Sequence, residues 1–126
     1  MTVVKAGLRY TADHDWINSE TPARVGVSDY AQNELGEVVY VELPEVGDEL
    51  TAGEYCGELE STKSVAELEA PVSGTVVEVN QEVLDNPELV NEDPYGAGWL
   101  YTVTVTEEGP LSSAEEYAEE VGGTIE

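Results

Sequence analysis

Apolar and polar positions alternate along much of the chain, the period-two signature of strands with one buried face. Residues 24–27 read as a short strand behind the turn residues Asn18 to Pro22. Residues 38–43 form another, ended by Pro44. Residues 54–60 and 65–70 alternate as well, the second run placing Ala66, Leu68 and Ala70 on one face. Their short polar link, Ser61-Thr62-Lys63-Ser64, makes the pair a β-hairpin with the link at its tip. Residues 74–79 and 99–105 add two more strands, with Trp99, Tyr101, Val103 and Val105 predicted to face one way.

The helical signals are short. Over residues 28–36, Ser28 can cap free N–H groups and Gly36 can supply a positive-φ stop, for a helix of about two turns. Asn86 followed by Pro87 predicts one helical turn. Residues 112–121 read as a C-terminal helix, with Ser112 and Glu115 as a capping box. Ala114, Tyr117, Ala118 and Val121 give it an apolar stripe, and Gly122-Gly123 stops it. The pattern G-x-V-V-x-V occurs at Gly36 and again at Gly74, on either side of the hairpin tip. Similar halves around a central hairpin predict a mainly β fold, a quasi-twofold β-sandwich or flattened barrel with small peripheral helices.

Composition narrows the picture. A chain of 126 residues suits one domain, residues 1–126, and 40% hydrophobic residues suffice for a modest core. The lone cysteine, Cys56, excludes an intrachain disulfide and a cysteine zinc site. With 28 Asp plus Glu against 4 Lys plus Arg, the net charge is −24. Nucleic acid and anionic membranes would be repelled by such a surface. High charge favours disorder, but the regular apolar alternation opposes it. A folded protein living in strong salt fits better, because salt shortens the reach of like-charge repulsion and surface carboxylates hold water. A halophilic source is therefore expected, and loosening in low salt with it. The first residues, with Lys5, Arg9, Asp13, His14 and Asp15, hold no continuous apolar stretch. Neither a signal peptide nor a membrane span is read there, and a cytoplasmic location is expected.

Candidate chemistry is sparse. P-loop, G-x-G-x-x-G, C-x-x-C and G-x-S-x-G motifs are missing. His14, the only histidine, reads as a partly packed residue in an acidic loop, and Cys56 as a small buried hydrophobe without the cationic neighbours of a reactive thiol. Lys63 stands out. Lysine is nearly eliminated from the chain, leaving Lys5 near a terminus expected to fray and Lys63 at the hairpin tip. A tip amine is reachable by a modifying enzyme and lets an attached group swing.

Around that lysine the residues resemble a known family. Glu60-Ser61-Thr62-Lys63-Ser64 is similar to the E-S-V-K-A lipoyl-attachment tip of glycine cleavage system H proteins. Tyr10 to Trp16 resembles their Y-x-x-x-H-E-W. Val25-Gly26-Val27-Ser28 with Ala31-Gln32 and Leu35-Gly36 resembles V-G-I-T-x-x-A-Q-x-x-L-G. Val41-Glu42-Leu43-Pro44, Ala70-Pro71-Val72-Ser73-Gly74 and the run from Pro87 through Trp99 follow in family order.

The resemblance implies a lipoyl/biotinyl-type barrel-sandwich hybrid and a non-catalytic carrier with (R)-lipoate in amide linkage on Lys63. It implies passage of an aminomethyl group from a pyridoxal-phosphate glycine decarboxylase, the P protein, to an aminomethyltransferase, the T protein. The L protein, dihydrolipoamide dehydrogenase, would reoxidise the arm, and a lipoate-attaching enzyme would install it. By position, Asp15 and Glu67 fall where the family places acids beside a cleft for the folded-back arm, and Tyr30 where many members have histidine. Rival readings are a lipoyl domain of a 2-oxoacid dehydrogenase, a biotin carrier, a relay handing lipoyl groups to other proteins, and an unmodified β-domain. A biotin carrier would show M-K-M at the tip, where this chain has Thr62 and Ser64.

Overall fold

The computed structural model of the chain describes residues 2–126. Its strands and helices, in order, are β1 (Val3–Val4), β2 (Arg9–Tyr10), β3 (Asp15–Ile17), β4 (Ala23–Val27), α1 (Asp29–Leu35), β5 (Val38–Glu42), β6 (Glu49–Leu50), β7 (Tyr55–Ser61), β8 (Val65–Glu69), β9 (Val72–Val79), α2 (Gln81–Asp85), α3 (Leu89–Glu92), β10 (Tyr101–Glu108), β11 (Ser112–Ser113), α4 (Ala114–Val121) and β12 (Thr124–Ile125). A seven-stranded sheet runs β11-β2-β3-β4-β10-β9-β6 and a three-stranded sheet runs β5-β7-β8. Apolar side chains from both sheets meet in one core, with Val41, Leu59 and Leu68 on one side and Val25, Val76 and Val103 on the other. The sheets face each other without closing into a continuous barrel. The repeated G-x-V-V-x-V segments lie one in each sheet, in β5 and β9, as the quasi-twofold reading requires.

The hairpin forms where alternation placed it. β7 and β8 pair antiparallel, with Glu60 opposite Val65 and Leu59 opposite Ala66. Helix α1 also starts as read: the Ala31 N–H donates to Ser28 Oγ at 3.2 Å, and Gly36 ends it at φ 86°.

Other boundaries move, each for a tertiary reason. The C-terminal helix begins one residue later than expected, with the capping box on Ser113 and Glu116 rather than Ser112 and Glu115. Both pairs satisfy S-x-x-E, but Ser113 is held extended opposite Arg9, so it serves as the cap and cannot be the first helical residue. The 99–105 strand shifts to β10. Trp99 drops out beneath the Arg24 guanidinium at 4.6 Å, and Val105 is exposed. The turn expected at Asn86-Pro87 becomes the C-cap of α2, and α3 follows. Helix α2 escaped the reading because its cap, Asn80, follows the strand residue Val79 directly, with no turn residues between. The segment holding Lys5 is not frayed: β1 pairs in parallel with β12, and the Tyr10 hydroxyl donates to the Lys5 carbonyl at 2.9 Å.

A second apolar cluster seats helix α4 on the N-terminal strands. It contains Val4, Tyr10, Trp16, Ala114, Tyr117 and Ala118. Tyr10 and Tyr117 stack face to face, 4.3 Å apart and 1° from parallel. Among the described residues no helix is long and apolar enough to cross a membrane.

Candidate functional site

The tip is stiffened by its own hydroxyl. Ser61 N–H donates to the Ser64 carbonyl at 2.8 Å, closing the turn. Ser61 Oγ accepts the N–H groups of Lys63 at 3.2 Å and Ser64 at 3.0 Å, standing in for backbone partners a tight turn lacks. Thr62 N–H reaches across to the Glu37 carbonyl at 3.2 Å and ties the tip to the chain entering β5. Lys63 is exposed on this base. Its stem crosses Gly36, where an added Cβ would come within 3.1 Å of Lys63 Cε. Gly36 thus ends α1 and clears a path for the lysine in one step.

The two arginines are used differently. Arg9 pairs with Glu108 at 2.7 Å, and Arg24 covers Trp99. The Lys63 ammonium enters no ion pair among the described residues.

Two hollows flank helix α1. One, of about 260 Å³, opens beside the tip, floored by Ala31, Leu35 and Ala66 and bounded by Asp13, His14, Tyr30, Glu34 and Ser64. The His14 and Tyr30 rings meet at its wall, centroids 4.7 Å apart and tilted 46°. The Glu34 carboxylate one turn along raises the Tyr30 phenol above its ordinary range. The volume falls below the ~300–1,000 Å³ usual for small-molecule pockets and suits a thin acyl chain. The other hollow, about 380 Å³, has no apolar side chain in its lining and is rimmed by Glu37, Glu88 and Glu92. The Asn91 amide in it is spent on Val38 N–H, Gln32 Oε1 and the Gly36 carbonyl. The apolar floor makes the smaller cleft the better bed for an aliphatic arm.

Of the residues singled out for the arm cleft, Tyr30 lines it. Asp15 does not: it is only 4% exposed, packed behind the wall. Burial first, then the charges of Asp13 and Glu69, hold its carboxyl well above the usual carboxylate range. Glu67 lies on the outer face of β8, because successive strand residues alternate and Ala66 takes the cleft side. His14 escaped the reading as a wall residue. Ala31 and Leu35, four apart on α1, with Ala66 on β8, were the legible signal for the floor. Cys56 is half-buried, 3.8 Å from the Tyr101 hydroxyl, and burial pushes its thiol up to about 11, so it is an inert packing residue.

An amine offered on a stiff hairpin tip, with an apolar trough at its foot, is the layout of a carrier domain that bears a swinging prosthetic arm. The chain matches the family model described as Glycine cleavage H-protein over residues 8–123. It is 57% identical over 108 residues to the glycine cleavage system H protein of Kocuria rhizophila, covering 83% of this chain and 84% of that one. It is 56% identical over 115 residues to the H protein of Streptomyces avermitilis, covering 89% and 92%. The crystal structure of a glycine cleavage system H protein from Mycobacterium marinum superposes with a TM-score of 0.89 at 50% identity, covering 93% of this chain and 98% of that one. The chain belongs to the glycine cleavage H-protein family. It is a lipoyl carrier subunit of that system and not itself an enzyme.

Proposed function

We propose that Lys63 is the lipoylated residue and that the cleft between His14 and Tyr30 shelters the arm once it is loaded. The observation that carries this is a juxtaposition: an exposed, unpaired amine on a braced tip, directly beside an apolar-floored cleft. When bound, lipoate supplies a dithiolane that opens to two thiols and recloses, and its tether raises the local concentration of the reactive end at each partner. This chain's residues present and protect. Ser61 and the Thr62–Glu37 contact hold the attachment point still. Ala31, Leu35 and Ala66 line the trough and keep water from an arm lying in it. Tyr30 and His14 close one side.

The partners in this reading are the P protein as source of the aminomethyl group, the T protein as acceptor, the L protein as oxidant and a lipoate-attaching enzyme, all in the cytoplasm. Matches spanning most of the chain support an H protein over a 2-oxoacid dehydrogenase lipoyl domain.

Intact-mass measurement and peptide mapping on protein from its native host test the assignment. A lipoyl increment on the peptide containing Lys63 is the expected result. A biotin increment, or no increment, would overturn it. Lys63→Arg should keep the fold and abolish carriage entirely, since an exposed tip position contributes little stability. Glycine–bicarbonate exchange with P protein then separates aminomethyl carriage from a role limited to relaying lipoyl groups.

A further inference from the structure

His14 is held more tightly than a loop residue needs to be. Its backbone is left-handed at φ 71°, a conformation that costs a non-glycine residue energy and persists only where neighbours enforce it. The enforcement comes largely from Ser28. The Ser28 N–H donates to the His14 carbonyl at 2.9 Å, while the His14 N–H donates to the Thr11 carbonyl at 3.1 Å. The ring is held as well. Tyr117 Oη lies 2.8 Å from His14 Nδ1 and 2.7 Å from Ser28 Oγ. Stacking on Tyr10 fixes the Tyr117 ring in turn.

The direction of the relay follows from counting protons. Ser28 is fully buried, and its oxygen already accepts the Ala31 N–H as the cap of α1. Among the described residues its own proton has one acceptor, Tyr117 Oη. Tyr117, whose phenol burial raises well above its ordinary range, keeps its proton and donates it to His14 Nδ1. The neutral imidazole then carries its proton on Nε2. That nitrogen has no partner among the described residues, and the ring lines the cleft.

We propose that His14 is a positioning residue of the arm cleft, its tautomer set by the Ser28–Tyr117 relay so that an Nε2–H donor faces a sulfur of the reduced arm. The inference rests on the reading that the loaded arm occupies this cleft. The carboxylates of Asp13 and Glu34 share the rim, and beside them an electron-rich sulfur would otherwise be disfavoured. A fixed N–H donor offsets that repulsion and costs no reordering, because helix α4 has already ordered it.

The first test needs no arm. In the unlipoylated protein, ¹⁵N spectra of the His14 ring should show Nδ1 bare and Nε2 protonated, and Tyr117→Phe should weaken that preference. An Nδ1-protonated tautomer would overturn the proposal. The second test uses lipoylated, reduced protein loaded from glycine. Its spontaneous loss is the hydrolysis R–S–CH₂–NH₃⁺ + H₂O → R–SH + HCHO + NH₄⁺, followed by released formaldehyde. His14→Asn tolerates the left-handed backbone and keeps an amide at the Nδ1 position, but lacks the Nε2 donor. Both H14N and Y117F should lose the load about three- to tenfold faster, the worth of one hydrogen bond. Equal lifetimes overturn the role of His14. Amide resonances of Ala31, Ser64 and Ala66 separate the two failures. If they shift on loading while His14 is indifferent, the cleft reading stands and this proposal falls. If they stay still, both fall.

Discussion

The tip bearing Lys63 and the corner holding His14 meet at one cleft, yet they are secured in opposite ways. The tip is ordered mostly by neighbours in sequence: Ser61 Oγ serves the N–H groups two and three residues on, and the Thr62 N–H bond to the Glu37 carbonyl is added from outside the hairpin. The corner is ordered by residues far away. Tyr117 lies 103 positions from His14 and 89 from Ser28, and the Trp16 indole N–H donates at 3.0 Å to the carbonyl of Pro94, 78 positions on. A locally braced tip can be read by several partners and changed cheaply. A corner assembled from distant elements holds a ring to a fixed orientation but depends on the whole fold being in place.

The largest effect expected on this contrast is collective. Glu42, Glu58 and Glu67 lie directly opposite one another across β5, β7 and β8, with the Tyr55 hydroxyl donating to Glu42 at 3.0 Å and Glu58 at 2.9 Å. Screening lengths grow from ~3 Å at 1 M salt to ~10 Å at 0.1 M, so desalting strengthens that repulsion. Hydrogen exchange should therefore rise first in β7 and β8 and last around Tyr10, Trp16 and Tyr117. Uniform protection at both salt concentrations would erase the distinction.

Single substitutions sharpen it further. Tyr117→Ala empties a fully buried ring site and should cost about 3–5 kcal/mol in chemical denaturation, freeing His14 as well. Asp15→Asn acts through pH. Because the folded-state carboxyl is raised, its contribution to stability is complete below the ordinary carboxylate range and is lost as pH rises through the folded value. The variant should flatten the fall of Tm from acid towards neutral pH and melt higher than the parent at pH 7. A steeper fall would contradict the burial argument. At the tip, Thr62→Val with Ser64→Ala should leave stability within about 0.5 kcal/mol. A larger loss would mean that the tip relies on these two side chains as well as on the Ser61 and Glu37 contacts.

How far each part was legible follows the same division. The β7–β8 hairpin, the Ser28 cap and the Gly36 stop were visible because alternation, caps and positive-φ glycine act within a few residues. The C-terminal capping box slipped by one residue because Ser112-Ser113 and Glu115-Glu116 offer two equivalent frames, and only the pairing of Ser113 with Arg9 chooses between them. Trp99 was placed on the strand face by periodicity alone, whereas the Arg24 guanidinium draws it elsewhere. The short strands β1, β6 and β12 carry too few residues for any period to show, and long-range pairing alone defines them.

From the order of its residues alone, this chain determines a β-hairpin, a lysine at its tip and the family to which the motifs point, because each is a local pattern. Tertiary structure decided the rest: that Asp15 is sealed behind the cleft wall, that Glu67 faces outward, and that Tyr117 and Ser28 lock the one histidine against the cleft. Burial and hydrogen-bond partnership are properties of the packed chain, set by residues far apart in sequence, 103 positions in the case of His14 and Tyr117.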